Sequence, residues 1–306
     1  MNIHKAVLLG EAIENLNLKK GAVAVDATLG AGGHAKAMLE KIGDEGKLVA
    51  IDVDTEAVER IKNSKNVITV NDNFANLGNI LKSLGTEKVD AILADLGISS
   101  DQLENEKYGL SFQKEAKLDM RLNKKLEISA WDIANKYELR DLEKIIKDFG
   151  EERFARHIAK KIVGYRKVKT IETTTELACI ISGAVPERYR KGKIHPATRT
   201  FQALRIAVNK ELENLEKFIP EAIEALNPKG RLAIISFHSL EDRIVKNIFR
   251  ENARGCICPK EFPQCVCGKR PGIRIITKKP IIPTAKEIAA NSRSRSAKLR
   301  VCEKIA

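Results

Sequence analysis

The sequence predicts an α/β protein with a doubly wound, mostly parallel sheet and an inserted helical domain. In the first hundred residues, four short apolar segments typical of buried strands alternate with segments of helical spacing. This strand pattern then disappears and returns only at residues 231–237. We therefore expect a sheet domain made of residues 1–104 and 215–306, interrupted by a helical domain at residues 105–214. The four strand segments are residues 23–27, 46–52, 66–70 and 89–95.

The other elements of the sheet domain follow from spacing and turn residues. The turn from Asn227 to Gly230 precedes residues 231–237, and we expect it to set up that strand. Ser239 and Asp242 then have the spacing of a capping box, which predicts the start of a helix. Further helices are expected at residues 4–18, from 34 onward, at 54–63 and at 75–84, and further strands at 272–277 and 297–302.

Three apolar faces at helical spacing define the inserted segment. Cations crowd the other sides of the second face, and the loop at residues 187–199 is also rich in them. Such basic surfaces suit contact with nucleic acid phosphates, but they are equally typical of ordinary solvated helices. The three faces are Leu139, Leu142, Ile145, Ile146 and Phe149; Phe154, Ile158 and Ile162; and Phe201, Leu204, Val208, Leu212 and Leu215.

A glycine-rich loop follows the first strand. Gly30, Gly32 and Gly33 stand between residues 23–27 and a helix that begins near His34. Glycine lets the backbone approach a ligand closely or take a positive φ, and a strand, such a loop and a helix N-terminus form a nucleotide-sized cradle. The loop fits the dinucleotide fingerprint, although the glycines would also serve a simple tight turn.

Two acidic residues distinguish between ligands for this cradle. Asp52 ends the second strand, where a carboxylate accepts hydrogen bonds from the ribose hydroxyls of either NAD or S-adenosylmethionine. Asp26 stands inside the first strand, before the glycines. A carboxylate there suits a cationic amino-acid end and would repel a pyrophosphate, so the pair favours S-adenosylmethionine over NAD.

Three more residues lie where α/β folds place ligand contacts. Asp95 ends the fourth strand, where it would bind the cofactor or accept hydrogens from a substrate amine. Phe74 follows the third strand and would pack on an adenine face or in the core. His238 follows the strand at 231–237 and would touch substrate, move a proton or only form a structural hydrogen bond.

Charge and hydropathy limit the classes of protein to consider. The formal net charge is +13, yet residues 1–105 hold 11 Lys and Arg against 16 Asp and Glu. The remaining residues are therefore strongly basic, which indicates a polyanionic substrate such as nucleic acid, or merely a solubilising charge. No run of 18 apolar residues and no signal-peptide pattern is present. We expect a cytoplasmic protein with no membrane partner; the oligomeric state is left open.

Four of the six cysteines cluster in one loop. Cys256, Cys258, Cys265 and Cys267 form two C-x-C pairs, whereas Cys179 and Cys302 stand alone. Four thiolates this close would hold a structural zinc ion, although C-x-x-C is the more usual spacing. Free reduced thiols or a disulfide are the alternatives. A catalytic metal is not expected, because no histidine or carboxylate cluster accompanies the thiols.

Several long motifs resemble the bacterial small-subunit rRNA cytidine-N4 methyltransferase family. The similarity runs nearly from end to end of the chain. The motifs are HKAVLLGE (4–11), DATLGAGGH (26–34), AIDVD (50–54), DLGISSDQL (95–103), LDMRL (118–122), GEERFARHIAKKI (150–162), HPATRTFQALRIAVN (195–209), SFHSLEDR (236–243) and SRSAKLR (294–300).

This resemblance implies a fold, an activity and a set of site residues. It implies a Rossmann-like class I methyltransferase domain, a helical insertion that helps to recognise RNA, and methylation of a cytidine N4 amine in the decoding region by S-adenosylmethionine. The substrate would be small-subunit rRNA or the assembled small subunit. Carried onto matching positions, the cofactor contacts are Gly32, Gly33, His34, Asp52, Phe74, Asp95 and Gln102.

The chain departs from the family pattern at three positions. Asn123 stands where the family has an aspartate, and Ala116 and Lys117 replace a Gly-Pro pair. A carboxylate role at Asn123 is therefore in doubt. The chain also has Leu96, Gly97 and Ile98 after Asp95, in place of the proline and aromatic motif common in amino-methyltransferases. We interpret the chain as an rRNA methyltransferase, with Asp95 and His238 as candidate catalytic residues. The rivals are an NAD-dependent oxidoreductase and a non-catalytic RNA-binding assembly factor.

Overall fold

The chain folds as two units, and the computed structural model describes residues 6–62, 64–192, 194–259, 262 and 264–305. The first unit comprises Met1–Gly97 and Leu212–Ala306, and the second comprises Ile98–Glu211. The insertion thus begins before the predicted residue 105 and ends before the predicted residue 214. Within the described ranges, no helix is both long enough and apolar enough to cross a membrane.

The first unit contains a seven-stranded sheet. Its strand order is β3-β2-β1-β4-β5-β7-β6, in which β1 to β5 pair in parallel and β7 is antiparallel to both of its neighbours. This confirms the predicted α/β fold with a doubly wound, mostly parallel sheet. The strands are β1 Val23–Asp26, β2 Lys47–Asp52, β3 Val67–Asn71, β4 Val89–Asp95, β5 Leu226–Ser236, β6 Ile273–Ile275 and β7 Lys298–Lys304.

Helices cover both faces of this sheet and make up most of the second unit. In chain order they are α1 Leu9–Leu16, α2 Gly33–Ile42, α3 Thr55–Ile61, α4 Leu77–Ser83, α5 Ser100–Glu104, α6 Ala130–Lys136, α7 Leu139–Gly150, α8 Ala155–Arg166, α9 Thr174–Ser182, α10 Glu187–Arg190, α11 Ala197–Asn209, α12 Glu211–Ala225, α13 Ser239–Ala253 and α14 Ala285–Ala290. Short 3₁₀ turns stand at Phe74–Asn76 and Ser292–Ser296.

The sheet separates two apolar cores. Because successive side chains of a strand point to opposite faces, neighbouring residues of β1 belong to different cores. Val25 packs with residues of α4, α12 and α13, and Ala24 packs with residues of α1 and α2. A third core lies within the second unit, where α6 to α9 and α11 bury residues such as Ile146, Ile158 and Leu204.

The structure differs in detail from three local predictions. The apolar face from Phe201 to Leu215 is not one helix, because Lys210 takes the left-handed conformation with φ 52° and divides α11 from α12. The turn expected at residues 227–230 is present as a bulge within β5: Leu226 pairs with Val89 and Arg231 with Ala91, and Lys229 has a φ of 66°. The residue that caps α13 is His238, one position before the predicted Ser239.

Candidate functional site

The candidate site lies at the carboxyl ends of the central strands. β1 is paired with β2 on one side and with β4 on the other, so the strand order reverses between β1 and β4. Open α/β sheets bind ligands in the crevice at such a switch point. Asp26 is the last residue of β1, and Asp95 is the last residue of β4. The topology therefore places two carboxyl groups at the binding edge of the sheet.

The loop between β1 and α2 is shaped by its glycines. Gly30 and Gly32 have φ values of 51° and 79°, a region that L side chains rarely adopt. Gly33 begins α2, and a Cβ at this position would lie 2.9 Å from the Cβ of Ala6. These positions need glycine for backbone conformation and close packing, which the sequence pattern predicted only in general terms.

Asp52 holds this loop from the end of β2. Its Oδ2 accepts the Gly30 N–H at 2.8 Å, and its Oδ1 accepts the Asp54 N–H at 2.8 Å. Burial raises the pKa of Asp52, and the two N–H donors oppose that shift. Each carboxylate oxygen has a further lone pair. Asp52 is therefore able to orient the glycine loop and still accept a hydrogen bond from a hydroxyl of a ligand.

Asp26 and Asp95 have unsatisfied oxygens. Asp26 Oδ1 accepts the Thr28 N–H at 3.2 Å, whereas Asp26 Oδ2 and Asp95 Oδ1 are buried with no hydrogen-bond partner among the described residues. Burial, together with the neighbouring Asp52, raises the pKa of Asp26 to about 7, although backbone N–H donors of Thr28 and Ala35 oppose the shift. Burial also raises the pKa of Asp95 well above its usual value, with contributions from Asp26 and Glu241. An unpaired buried acceptor is costly, so these oxygens suit a ligand with cationic or N–H groups.

His34 connects the glycine loop to Asp95. Its Nε2 lies 3.1 Å from the Val7 carbonyl oxygen, and its Nδ1 lies 3.5 Å from Asp95 Oδ2. A carbonyl oxygen only accepts, so Nε2 carries a hydrogen and the ring orientation is fixed. Nδ1 then faces the carboxyl group of Asp95, whose pKa is raised well above its usual value by burial. Thr28 adds a second support that the sequence did not indicate, because its Oγ1 accepts the Asp95 N–H at 2.6 Å.

Phe74 lies in the 3₁₀ turn that follows β3. Its ring packs edge-on against Phe218 of α12, with centroids 5.1 Å apart and an interplanar angle of 83°. The side chain is only partly buried at the border of the core. The structure therefore shows the core contact of Phe74, and packing of its partly exposed ring on an adenine stays a prediction.

His238 forms a capping box at the start of α13. Its Nδ1 accepts the Glu241 N–H at 3.4 Å, and Glu241 Oε2 accepts the N–H groups of Phe237 and His238 at 2.8 and 3.3 Å. The Nε2 lies 3.2 Å from Glu241 Oε1. These contacts give the ring a structural role at the start of α13, while its Nε2 is buried with no hydrogen-bond partner among the described residues. His238 also borders a cavity of about 300 Å³ that Arg295 and Lys298 line.

The remaining predicted residues lie in the second unit. Gln102 and Ser99 form a capping box that begins α5, with hydrogen bonds of 3.1 Å in each direction. Asn123 Oδ1 accepts the Lys125 N–H at 2.9 Å, and Ala116 donates its N–H to Thr174 Oγ1 at 3.2 Å. Lys117 forms an antiparallel bridge with Thr173, so all three positions that depart from the family pattern make local contacts within the insertion. The proposed cofactor role of Gln102 stays a prediction.

Comparison with known proteins covers nearly the full chain. The model of the MraW methylase family matches residues 1–305. A protein of Clostridium botulinum strain Kyoto, named ribosomal RNA small subunit methyltransferase H, is 53% identical over 306 residues, 99% of each chain. A protein of the same name from Caldicellulosiruptor bescii is 50% identical over 306 residues, again 99% of each chain. Among solved structures, a putative rRNA methylase from Clostridium thermocellum aligns with a TM-score of 0.44 at 11% identity, covering 100% of this chain and 99% of that chain.

These matches span both units and confirm the expected activity class and its methyl donor. The chain belongs to the MraW methylase family, and it is an S-adenosylmethionine-dependent methyltransferase.

Proposed function

We propose that this methyltransferase modifies the N4 amine of a cytidine in the decoding region of small-subunit ribosomal RNA, and that it does so in the cytoplasm. Its relatives at 50% and 53% identity are named ribosomal RNA small subunit methyltransferase H. The observation that carries the proposal is the pair of unsatisfied, buried carboxyl oxygens on Asp26 and Asp95 at the switch point of the sheet. The cationic methyl donor would satisfy one of these oxygens, and the amine that receives the methyl group would satisfy the other.

The donor would occupy the crevice formed by the glycine loop. Asp26 would face its cationic end, Asp52 would accept a hydrogen bond from the ribose, and Phe74 would pack against the adenine. Gly32 and Gly33 would bring the backbone of the loop close to the donor. His34 and Gln102 complete the set that the family resemblance implies.

Asp95 would act on the amine of the cytosine. The bound donor supplies a methyl group on a sulfonium, so the S–C bond breaks as the N–C bond forms. The amine lone pair is delocalised into the ring, and an acceptor for the amine hydrogens favours the tetrahedral nitrogen of the transition state. Asp95 Oδ1 is such an acceptor, and His34 holds the other oxygen of the same carboxyl group. The amine would give up one proton to solvent as the neutral N-methyl product forms.

His238 is proposed in a supporting role at this site. Its ring is engaged with Glu241 at the start of α13, so it would position the helix and the cavity edge. Arg295 and Lys298 line the same cavity and would attract a phosphate of the substrate. The basic helical insertion would contact flanking phosphates of the RNA.

Transfer of a labelled methyl group tests the proposal. The purified protein is incubated with methyl-tritiated S-adenosylmethionine and, in separate reactions, with naked small-subunit rRNA or the assembled subunit. We expect label in RNA in at least one reaction and none with Asp95→Ala, while Asp44→Asn, an exposed carboxylate, retains full transfer. Donor affinity measured on the same variants separates a binding role of Asp95 from a role in transfer. RNA binding without transfer by the wild type would instead indicate an assembly factor, and full transfer by Asp95→Ala would overturn the catalytic assignment.

A further inference from the structure

We propose that Cys256, Cys258, Cys265 and Cys267 bind one structural zinc ion. The four residues lie in the loop between α13 and β6, in the first unit. Their Sγ atoms all lie within 4.8 Å of one another. None of these four cysteines is among the residues proposed for methyl transfer.

The distances between sulfur atoms fit a tetrahedral ion. The Sγ of Cys267 lies 3.7 Å from the Sγ of Cys265 and 3.7 Å from the Sγ of Cys256. Zinc bound to thiolates at about 2.3 Å in a tetrahedron requires sulfur atoms roughly 3.8 Å apart. All four thiols are free of disulfides. The sulfurs are therefore already grouped around a centre of the size that zinc needs.

Backbone hydrogen bonds relate the two C-x-C pairs reciprocally. Ile257, between the first two cysteines, donates its N–H to Cys267 Sγ at 3.4 Å. Val266, between the last two, donates its N–H to Cys258 Sγ at 3.3 Å. N–H donors to ligand sulfurs support thiolates and orient them toward a metal. Each C-x-C pair thus donates a backbone hydrogen bond to a sulfur of the other pair. These hydrogen bonds orient the sulfurs even though the C-x-C spacing is shorter than the usual C-x-x-C.

The loop has little else to hold it together. Between Ala253 and Ile273, the described residues form no helix or strand. Its apolar side chains Ile257, Phe262 and Val266 are 49%, 50% and 74% exposed, so they provide no core. A loop of this length without secondary structure is uncommon in a packed domain, and a structural metal supplies the missing cross-link.

The donor set favours a structural over a catalytic ion. Four cysteine ligands fill every position of a tetrahedral site and leave none open for water or substrate. Zinc with four thiolates keeps a net negative charge, and Arg254, Lys269 and Arg270 in the same loop would offset it. Thiolate ligands in a tetrahedron select zinc, with iron as the other ion that such a site accepts.

Metal analysis of the full-length protein tests the proposal. The protein is purified with a reductant and without chelators, and its metals are measured by inductively coupled plasma mass spectrometry. We expect about one zinc per chain, a loss to near zero in Cys258→Ser/Cys267→Ser, and no change in Cys179→Ser. Cys179 is an exposed cysteine in α9, outside the cluster, and so serves as the matched control.

Thiol accessibility in the wild-type protein gives a second readout that does not depend on the folding of the variants. Cys302 is buried, so the native zinc-loaded protein should expose one fast-reacting thiol, Cys179, to an alkylating reagent. After removal of zinc by a chelator, five thiols should react, and added zinc should restore protection. Five reactive thiols in protein incubated with zinc, or iron in place of zinc as the bound metal, would overturn the proposal. Methyl transfer is measured separately, so its failure would leave the zinc result standing.

Discussion

At the scale of single residues, the protonation of Asp26 should control how tightly the donor binds. Its pKa is raised to about 7 by burial, so the carboxylate ionises only near neutral pH in the free protein. A cationic ligand binds the ionised form, so donor affinity should increase as pH rises through about 7. Below that pH, the dissociation constant should grow by up to about tenfold per pH unit. Isothermal titration with S-adenosylmethionine between pH 5.5 and 8.5, values chosen to span about 7, measures this dependence.

Replacing Asp26 with asparagine separates the contribution of Asp26 to the pH dependence of donor affinity from that of other ionisable groups. Asp26→Asn should bind the donor more weakly at pH 8 and should show a smaller change of affinity with pH. Asp44→Asn, which removes an exposed carboxylate from the same unit, should keep the wild-type profile. An unchanged profile in Asp26→Asn would mean that this carboxyl group does not meet the cation.

At the scale of elements, His238 at the start of α13 is either a helix cap or a catalytic residue, and two substitutions distinguish these roles. Asparagine caps helices well and alanine does so poorly, so His238→Ala should lose about 1 kcal/mol of unfolding free energy and His238→Asn should recover most of it. Because His238 is proposed to position the helix, His238→Asn should also keep most of the methyl-transfer activity. Thermal unfolding followed by circular dichroism, together with the labelled-transfer assay, measures both. Loss of transfer at wild-type stability in His238→Asn would instead assign His238 to the chemistry.

Asn209 has a similar supporting role at the end of α11 in the second unit. Its Nδ2 donates to the Met120 carbonyl oxygen at 2.8 Å, and its Oδ1 accepts the Leu122 N–H at 2.9 Å. It thereby holds a loop in which Met120 has a φ of 61°. Asn209→Ala leaves two backbone groups unsatisfied and should cost about 2 kcal/mol or more of unfolding free energy.

The single tryptophan, Trp131, lies in α6 of the same unit, so urea unfolding followed by its fluorescence measures this loss where it occurs. Lys147→Ala, at an exposed position of α7 in the same unit, is the matched control and should change the curve by less than about 0.5 kcal/mol. Equal curves for the wild type and Asn209→Ala would show that the loop does not depend on this side chain.

These elements also show what the sequence was able to predict. The first four strands and the glycine loop were predictable because their signals are local, short apolar runs followed by glycines and acids. The break at Lys210 was not, because lysine is a good helix former and only tertiary context places it at φ 52°. The packing of Gly33 against Ala6 and the support of Asp95 by Thr28 join residues far apart in the chain, and no spacing in the sequence encodes them. The roles of the proposed site residues stay predictions until the variants are measured.

At the scale of the whole molecule, charge is divided unevenly along the chain. Residues 1–105 are net acidic, while the chain as a whole carries +13. Binding of rRNA by the basic remainder should therefore weaken steeply with salt, on the order of 10³-fold from about 50 to about 200 mM if six or more phosphates are neutralised. In the proposed site, donor binding would depend on buried carboxyl groups, so donor affinity should change little over the same range of salt. RNA affinity is measured by filter binding and donor affinity by calorimetry, both as a function of salt concentration. An RNA affinity that does not change with salt would contradict electrostatic binding of the substrate.

The most direct measurement is mass spectrometry of nucleosides from small-subunit rRNA treated with the protein and S-adenosylmethionine. If the carboxyl groups at the switch point of the sheet serve an amine acceptor, N4-methylcytidine should appear with the wild type and be absent with Asp95→Ala. A methyl group on a different base or on a ribose, or no new methylated nucleoside from either form of the substrate, would contradict it.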